Sequence, residues 1–103
     1  MRIRWLKAAA DDLLHVEAFI ARENPAAAVD VVLAVINAVE KLGRFPAMGR
    51  PGRVDDTREL VVGGFPFIVP YTVRKDVVEI LRVFHQRQKW SDMDFDMESA
   101  RIK

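Results

Sequence analysis

The spacing of hydrophobic residues changes several times along the chain, and each change predicts an element of secondary structure. Residues 2–5 alternate between polar and apolar side chains, which is typical of a short, half-buried strand. From about residue 8 to residue 23 the apolar positions recur every three or four residues, which predicts one buried face of a helix. That face consists of Ala9, Leu13, Val16 and Ile20. A second helix is predicted over residues 25–42, because Asn24 and Pro25 suit a helix start and Gly43 suits a helix end.

Three strands are predicted in the second half of the chain, after a loop over residues 44–56 that is rich in proline, glycine and arginine. The strands span residues 57–62, 65–73 and 77–85. Gly63 and Gly64 are a two-residue hairpin signal between the first two strands. Because proline has no N–H to donate, Pro66 and Pro70 predict a bulge or an unpaired stretch in the middle strand.

The last predicted strand is apolar on both faces, whereas a hairpin of two helices covers only one face of a sheet. Strict alternation assigns Val78, Ile80 and Phe84 to one face. It assigns Val77, Leu81 and Val83 to the other face. A second cover is therefore expected, and the candidates are a tail, a loop or a partner protein.

Composition limits the possible classes of protein. A chain of 103 residues fits one domain, and the lack of cysteine excludes a disulfide scaffold, a cysteine nucleophile and a zinc–thiolate site. Two histidines are too few for an all-imidazole metal site, so no metal is expected. No apolar run approaches the ~20 residues that span a bilayer, and residues 1–5 lack the apolar stretch of a signal peptide. These features predict a cytoplasmic protein without a membrane partner.

The charges are unevenly distributed, although the net charge is only +1. Residues 41–90 contain ten basic and five acidic side chains, whereas residues 91–103 contain two basic and four acidic ones. The basic excess in the middle of the chain is consistent with an anionic partner for one face. Ordinary solvated surface charge explains the same excess equally well.

Few residues suggest catalytic chemistry. The stretch 49–53 is rich in glycine but lacks the lysine and hydroxyl of a phosphate-binding loop. Four strand residues could converge and support metal-free cleavage of RNA, since arginine stabilises phosphate charge and histidine or tyrosine can move a proton. They are Arg58, Tyr71, Arg82 and His85. The alternative interpretation is structural, with Arg82 paired to Glu59 or Glu79.

An ordered set of short motifs resembles one known group of proteins. The motifs are Asn24-Pro25, Pro46, Gly49-Arg50-Pro51-Gly52-Arg53, Thr57-Arg58-Glu59-Leu60, Pro66-Phe67-Ile68-Val69-Pro70-Tyr71, Glu79-Ile80-Leu81-Arg82-Val83-Phe84-His85 and Gln88-Lys89-Trp90. In this order they resemble the RelE/ParE superfamily of bacterial toxins from type II toxin–antitoxin modules. The resemblance covers residues 1–90 as a toxin domain and leaves residues 91–103 as an acidic C-terminal tail.

The resemblance implies an α+β fold of order βααβββ, with a two-helix hairpin packed on one face of a mostly antiparallel sheet. It also implies a cognate antitoxin that is ParD-like, with a ribbon–helix–helix N-terminus and a C-terminal segment that wraps and neutralises the toxin. Operator DNA would be bound only through that antitoxin, because a chain of net charge +1 is a poor DNA binder alone. The resemblance implies no cofactor.

Two activities compete within the superfamily: ParE-like members inhibit DNA gyrase, and RelE-like members cleave mRNA on the ribosome. At the positions where YoeB-like nucleases have a loop glutamate and a middle-strand arginine, this chain has Gly52 and Ile68. It also lacks the terminal tyrosine of those nucleases and the loop lysines of RelE-like members, since there is no lysine between Lys41 and Lys75. These departures favour a ParE-like gyrase inhibitor that acts by binding and is not an enzyme.

Two alternatives remain open at this point. A RelE-like endoribonuclease would use Arg58, Tyr71, Arg82 and His85. A degenerate member would bind only its antitoxin and leave growth unaffected. In the toxin interpretation, the contacts with partner proteins are expected from the helix stripe, the loop arginines and two aromatic residues near the end of the domain. These residues are Leu13, Val16, Ile20, Arg50, Arg53, Phe84 and Trp90.

Overall fold

The computed structural model describes residues 1–87, which form two helices and six strands, and the strands make up one sheet. The elements are β1 (Arg2–Trp5), α1 (Lys7–Ala21), α2 (Pro25–Glu40), β2 (Arg50–Pro51), β3 (Arg58–Val61), β4 (Phe67–Arg74), β5 (Val77–Ile80) and β6 (Phe84–His85). No helix among these residues is long and apolar enough to cross a membrane.

The sheet has the strand order β1-β5-β4-β3-β2, and β6 pairs with the first part of β4. Only β1 and β5 run parallel, and every other pair is antiparallel. The helical hairpin packs on the sheet, which confirms the predicted α+β fold and the mostly antiparallel sheet. The short β2, which pairs Arg50 with Glu59, was not predicted because it lies inside the loop assigned to residues 44–56.

The helices form much as their sequence patterns predict. The Asn24 side chain accepts a hydrogen bond from the Ala27 N–H at 3.0 Å, which satisfies one of the free donors at the start of α2. The predicted role of Gly43 as the residue that ends this helix is wrong, because α2 ends at Glu40 and a 3-10 turn follows over Lys41–Gly43. Gly43 instead lets β1 approach closely, since a Cβ there would lie 3.0 Å from the carbonyl oxygen of Met1.

The hydrophobic core lies between the hairpin and one face of the sheet. Its helix side consists of the buried residues Ala9, Val31, Val35, Val39 and Leu42. Its sheet side consists of Leu60, Val62, Phe67, Val69, Tyr71, Val78, Ile80 and Val83. Valine is a mediocre helix former, so the stability of α2 depends on this burial more than on intrinsic propensity.

A bulge interrupts the last predicted strand. Ile80 stands opposite Tyr71 and Phe84 opposite Ile68, so the three residues 81–83 face only the two residues Val69 and Pro70. The Pro70 carbonyl accepts a hydrogen bond from the Leu81 N–H at 2.9 Å, but Pro70 has no N–H to return. The predicted bulge in the middle strand is therefore wrong, because β4 is unbroken from Phe67 to Arg74 and the extra residue lies in the strand that faces Pro70.

The bulge reverses the predicted faces of the last two apolar residues. Strict alternation placed Phe84 with Val78 and Ile80, which is wrong because one extra residue shifts the alternation. Val83 joins Val78 and Ile80 in the core beneath the helices. Phe84 is buried beside Ile68 and does not belong to that core cluster.

Candidate functional site

A groove of about 670 Å³ lies between α1 and the sheet. We call it the helix–sheet groove. Its lining residues are Asp12, His15, Val16, Phe19, Ile20, Val31, Phe65, Pro66, Phe67, Arg82, Val83 and His85. Most of these side chains are apolar, and the few polar ones converge from α1 and the bulge. Such a composition is typical of a binding site.

The walls of the groove come from two elements. Val16 and Ile20 project from α1 at a spacing of one helical turn and pack partly against the core. The opposite wall is formed by Phe65 and Pro66, which lie between the glycine turn and the first residue of β4. Phe19 stands at the rim with 71% of its surface exposed, although it is one of the largest apolar residues of the chain. An exposed aromatic side chain beside an apolar groove marks a surface that is suited to protein binding.

A bidentate ion pair lies at one end of the groove. The Asp12 carboxylate accepts hydrogen bonds from Arg82 Nε at 2.6 Å and Arg82 Nη2 at 2.9 Å. It also accepts from the backbone N–H of Val83 at 3.0 Å. The bulge takes Val83 out of the regular ladder, so the carboxylate satisfies a donor that a neighbouring strand would otherwise satisfy.

The predicted partners of Arg82, Glu59 and Glu79, are therefore wrong. Glu59 instead bonds Arg50 Nη2 at 3.1 Å and the Arg53 N–H at 3.1 Å. Glu79 lies 3.8 Å from Arg4 Nη1. Asp12 could not be matched to Arg82 from the sequence, because the two residues are 70 positions apart.

His85 and His15 complete the polar part of the lining. His85 contacts the Phe67 ring edge-on, with centroids 5.6 Å apart, and its Nδ1 accepts a hydrogen bond from the Arg87 N–H at 3.0 Å. His15 lies on the exposed side of α1. Among residues 1–87 no group of three or more histidine and acidic side chains is arranged to hold a metal ion.

The four candidate nuclease residues lie in two separate places. Arg82 and His85 line the helix–sheet groove. Arg58 and Tyr71 face each other on β3 and β4, where both bond to the loop over residues 44–49. The Tyr71 hydroxyl donates to the Pro46 carbonyl at 2.7 Å and accepts from the Gly49 N–H at 2.9 Å. Arg58 Nη1 donates to the Gly49 carbonyl at 2.7 Å.

The contacts of Tyr71 give a prediction for its titration. Burial raises the pKa of the Tyr71 phenol above 10.0, while the Gly49 hydrogen bond and the Arg58 charge oppose part of that rise. The unfolded chain therefore releases this proton at lower pH than the folded chain. The stability that Tyr71 provides is complete below pH 10 and is lost as pH rises through the raised pKa.

Urea unfolding at about pH 9 and about pH 11 tests this assignment. We expect Tyr71→Phe to be less stable than the unmodified chain at the lower pH by about 1–3 kcal/mol, because Gly49 and Pro46 lose a buried partner. The difference between the two proteins should shrink at the higher pH, since only the unmodified chain carries the phenol. A constant difference across both pH values would contradict the assignment.

The residues predicted to contact partners are distributed over several surfaces. Val16 and Ile20 line the groove, whereas Leu13 packs against the core beside them. Arg50 and Arg53 lie near β2 around the buried carboxylate of Glu59, and Phe84 is buried within the fold. The remaining predicted residue, Trp90, and the acidic tail over 91–103 lie outside the described residues.

Sequence reasoning missed two features of the groove. Phe65 and Pro66 were assigned only to a strand, and Phe19 falls outside the apolar stripe that was used to identify α1. A large apolar residue on the polar side of an amphipathic helix is itself a signal, because burial in the chain's own core cannot explain it.

Comparisons with known proteins place this fold in a family. Residues 3–90 match the family model described as "ParE toxin of type II toxin-antitoxin system, parDE". A curated relative from Sinorhizobium fredii (strain NBRC 101917 / NGR234), named "Putative toxin Y4kP", is 46% identical over 89 residues, which are 86% of this chain and 92% of the relative.

Solved structures agree with that match. A structure titled "Chromosomal ParDE TA system from P. aeruginosa" is similar with a TM-score of 0.76 and 27% identity, over 82% of this chain and 95% of the other. The toxin–antitoxin complex RelBE2 from Mycobacterium tuberculosis has the same coverage, with a TM-score of 0.59 and 24% identity, and shows the fold alone. The chain therefore belongs to the ParE toxin family of type II toxin–antitoxin systems.

Proposed function

We propose that this chain inhibits DNA gyrase by binding to it, and that a cognate ParD-like antitoxin neutralises it by occupying the helix–sheet groove. The family match over residues 3–90 is the observation that carries the proposal. Relatives of this fold are solved as toxin–antitoxin complexes, which supports an antitoxin as the first partner.

The chemistry of the groove supports a peptide or helix as its occupant. Its apolar walls fit the hydrophobic face of an amphipathic segment, and the exposed His15 lies beside them as a polar group. Phe19 at the rim would lose most of its exposed surface on binding, which is a favourable contribution to affinity.

The positions and contacts of the candidate nuclease residues favour protein binding over RNA cleavage as the mechanism of toxicity. The Arg82 guanidinium is held by Asp12, and the Tyr71 hydroxyl is buried under the loop over residues 44–49. A general acid or base must reach the reacting atoms of its substrate, and an arginine that stabilises phosphate must face it. In this arrangement Tyr71 and Arg82 have structural partners and lie in different places.

Expression of the chain without its antitoxin tests the proposal. We expect filamentation and an SOS response in cells. In a purified assay we expect cleaved DNA to accumulate when the chain is added to gyrase and its DNA substrate. Prior addition of the antitoxin should abolish both effects. Arrest of translation with intact DNA metabolism, together with mRNA cuts that disappear on His85→Gln, would show instead that the chain is a ribonuclease.

A further inference from the structure

A second surface of the molecule lies away from the helix–sheet groove, at the end of α2 and the free edge of β3. We call it the loop surface, and define it by Phe45, Met48 and Val61 together with Lys41, Arg44 and Arg50. Phe45 is 60% exposed, and Met48 and Val61 are each about half exposed. Met48 and Val61 line a cleft of about 360 Å³ with Lys41 and Arg50, and Phe45 is joined to Met48 by a tight turn.

The loop that carries these side chains is held rigidly from beneath. Tyr71 bonds the Pro46 carbonyl and the Gly49 N–H, and Arg58 bonds the Gly49 carbonyl. There is no space for a side chain at Gly49, because a Cβ there would lie 2.7 Å from the Tyr71 ring and 2.9 Å from the Glu59 carbonyl oxygen. A loop fixed in this way presents Phe45 and Met48 with little conformational entropy left to lose on binding.

The free edge of β3 adds hydrogen-bonding groups to this surface. Val62 and Phe67 form a hydrogen-bonded pair, so the neighbouring residue Val61 directs its N–H and C=O away from β4. On the side away from β4, β2 reaches only Arg58 and Glu59, and no residue between 1 and 87 pairs with Val61 on that side. Backbone groups of this kind are available to a partner chain.

The charges identify the kind of partner. Lys41 and Arg50 line the cleft with Met48 and Val61, and the exposed Arg44 directly precedes Phe45 in the chain. The carboxylate of Glu59 is buried and pairs with Arg50. The carboxylate nearest in sequence to Lys41, Glu40, lines a different cleft with Met1 and Trp5. Because Glu59 compensates the charge of Arg50, a second copy of this chain would bring Lys41 and Arg44 against the same two cations, which disfavours self-association.

We infer that the loop surface binds an acidic, partly apolar surface of the toxin's cellular target, and that it acts separately from the antitoxin groove. This inference rests on the proposed function, because it assigns a target-binding surface to a toxin. It predicts that toxicity and antitoxin binding can be changed independently by substitutions on the two surfaces.

Two variants test the apolar and the charged parts of the surface. The first is Phe45→Ala with Met48→Ala, and its control is Val29→Ala with Leu33→Ala, which removes exposed apolar groups from α2. The second is Lys41→Glu with Arg44→Glu. Its control is Arg22→Glu with Arg74→Glu, an equal change of charge at exposed positions elsewhere.

We expect each loop-surface variant to need at least about tenfold more protein than its control for half-maximal inhibition of purified gyrase. Growth arrest after induction should weaken in parallel. Affinity for the purified antitoxin should stay within about twofold of the unmodified chain, and circular dichroism should show an unchanged fold.

The possible outcomes separate this inference from the proposed function. If the unmodified chain arrests growth but does not inhibit gyrase, the proposed target is wrong, and the loop surface is then judged by growth arrest alone. Growth arrest by the loop-surface variants that equals that of their controls would overturn the inference. An equal loss of antitoxin affinity and toxicity would also overturn it, and a harmless unmodified chain would overturn both proposals.

Discussion

Replacing Asp12 with alanine is expected to lower the free energy of unfolding by about 3–4 kcal/mol, the effect of removing one partner from a buried ion pair. The side chains of Asp12 and Arg82 are only 15% and 19% exposed. The substitution leaves the Arg82 guanidinium and the Val83 N–H without their carboxylate acceptor. Asp12→Asn should cost less, because an amide oxygen can still accept the Val83 hydrogen bond.

Urea denaturation of the three proteins measures this effect. The neighbouring Asp11 is a matched control, because it bonds only the exposed Lys7 side chain at 2.8 Å. Removal of such a surface pair changes stability little, so Asp11→Ala should unfold at nearly the urea concentration of the unmodified chain. Equal effects of the Asp11 and Asp12 substitutions would show that the bulge does not depend on the Asp12 carboxylate.

Replacing Phe19 with alanine is expected to weaken binding of the antitoxin by about 2 kcal/mol, or roughly 30-fold in Kd. Phe19 is 71% exposed in the free chain, so the substitution removes apolar contact area from the complex while leaving the core intact. Aromatic side chains beside a desolvated groove are frequent centres of binding energy. Isothermal titration of the purified antitoxin into each variant measures the change.

Leu14 is the control for this prediction. It is 61% exposed on the same helix but does not line the helix–sheet groove. Leu14→Ala should therefore bind the antitoxin as tightly as the unmodified chain, and both variants should unfold at similar urea concentrations. A stronger effect of Leu14→Ala than of Phe19→Ala would place the antitoxin on another face of the hairpin.

The local elements could be predicted because their signals lie within a few residues of each other. Asn24 caps α2 through an oxygen that reaches the N–H three residues later. Gly64 has a φ of 81° in the predicted turn, and the Phe65 N–H closes that turn on the Val62 carbonyl. The connection is longer than the predicted two residues, because the Val62 N–H bonds the Phe67 carbonyl and residues 63–66 lie between them. The order of these elements, together with short motifs, was sufficient to indicate the α+β fold and the toxin superfamily.

The candidate site was predicted less completely, because its side chains come from distant parts of the chain. Val16 and Ile20 were identified from the helix stripe, and both line the groove. The residues facing them, Phe65 and Pro66, were not identified as groove residues, since no pattern in the sequence shows which strand lies beside α1. The bulge changed the faces of Val83 and Phe84, because one inserted residue reverses the alternation of every side chain that follows.

Local signals in the sequence specify the helices, most strands and the position of the turn at Gly64, because propensity, capping and alternation act over a few neighbouring residues. Two further contacts follow from tertiary packing alone: Asp12 completes the bulge, and Tyr71 holds the loop that carries Phe45 and Met48. These contacts join residues that are 71 and 25 positions apart, respectively. Such pairs are specified by how the hairpin and the sheet pack against each other, and that packing has no local signature in the sequence.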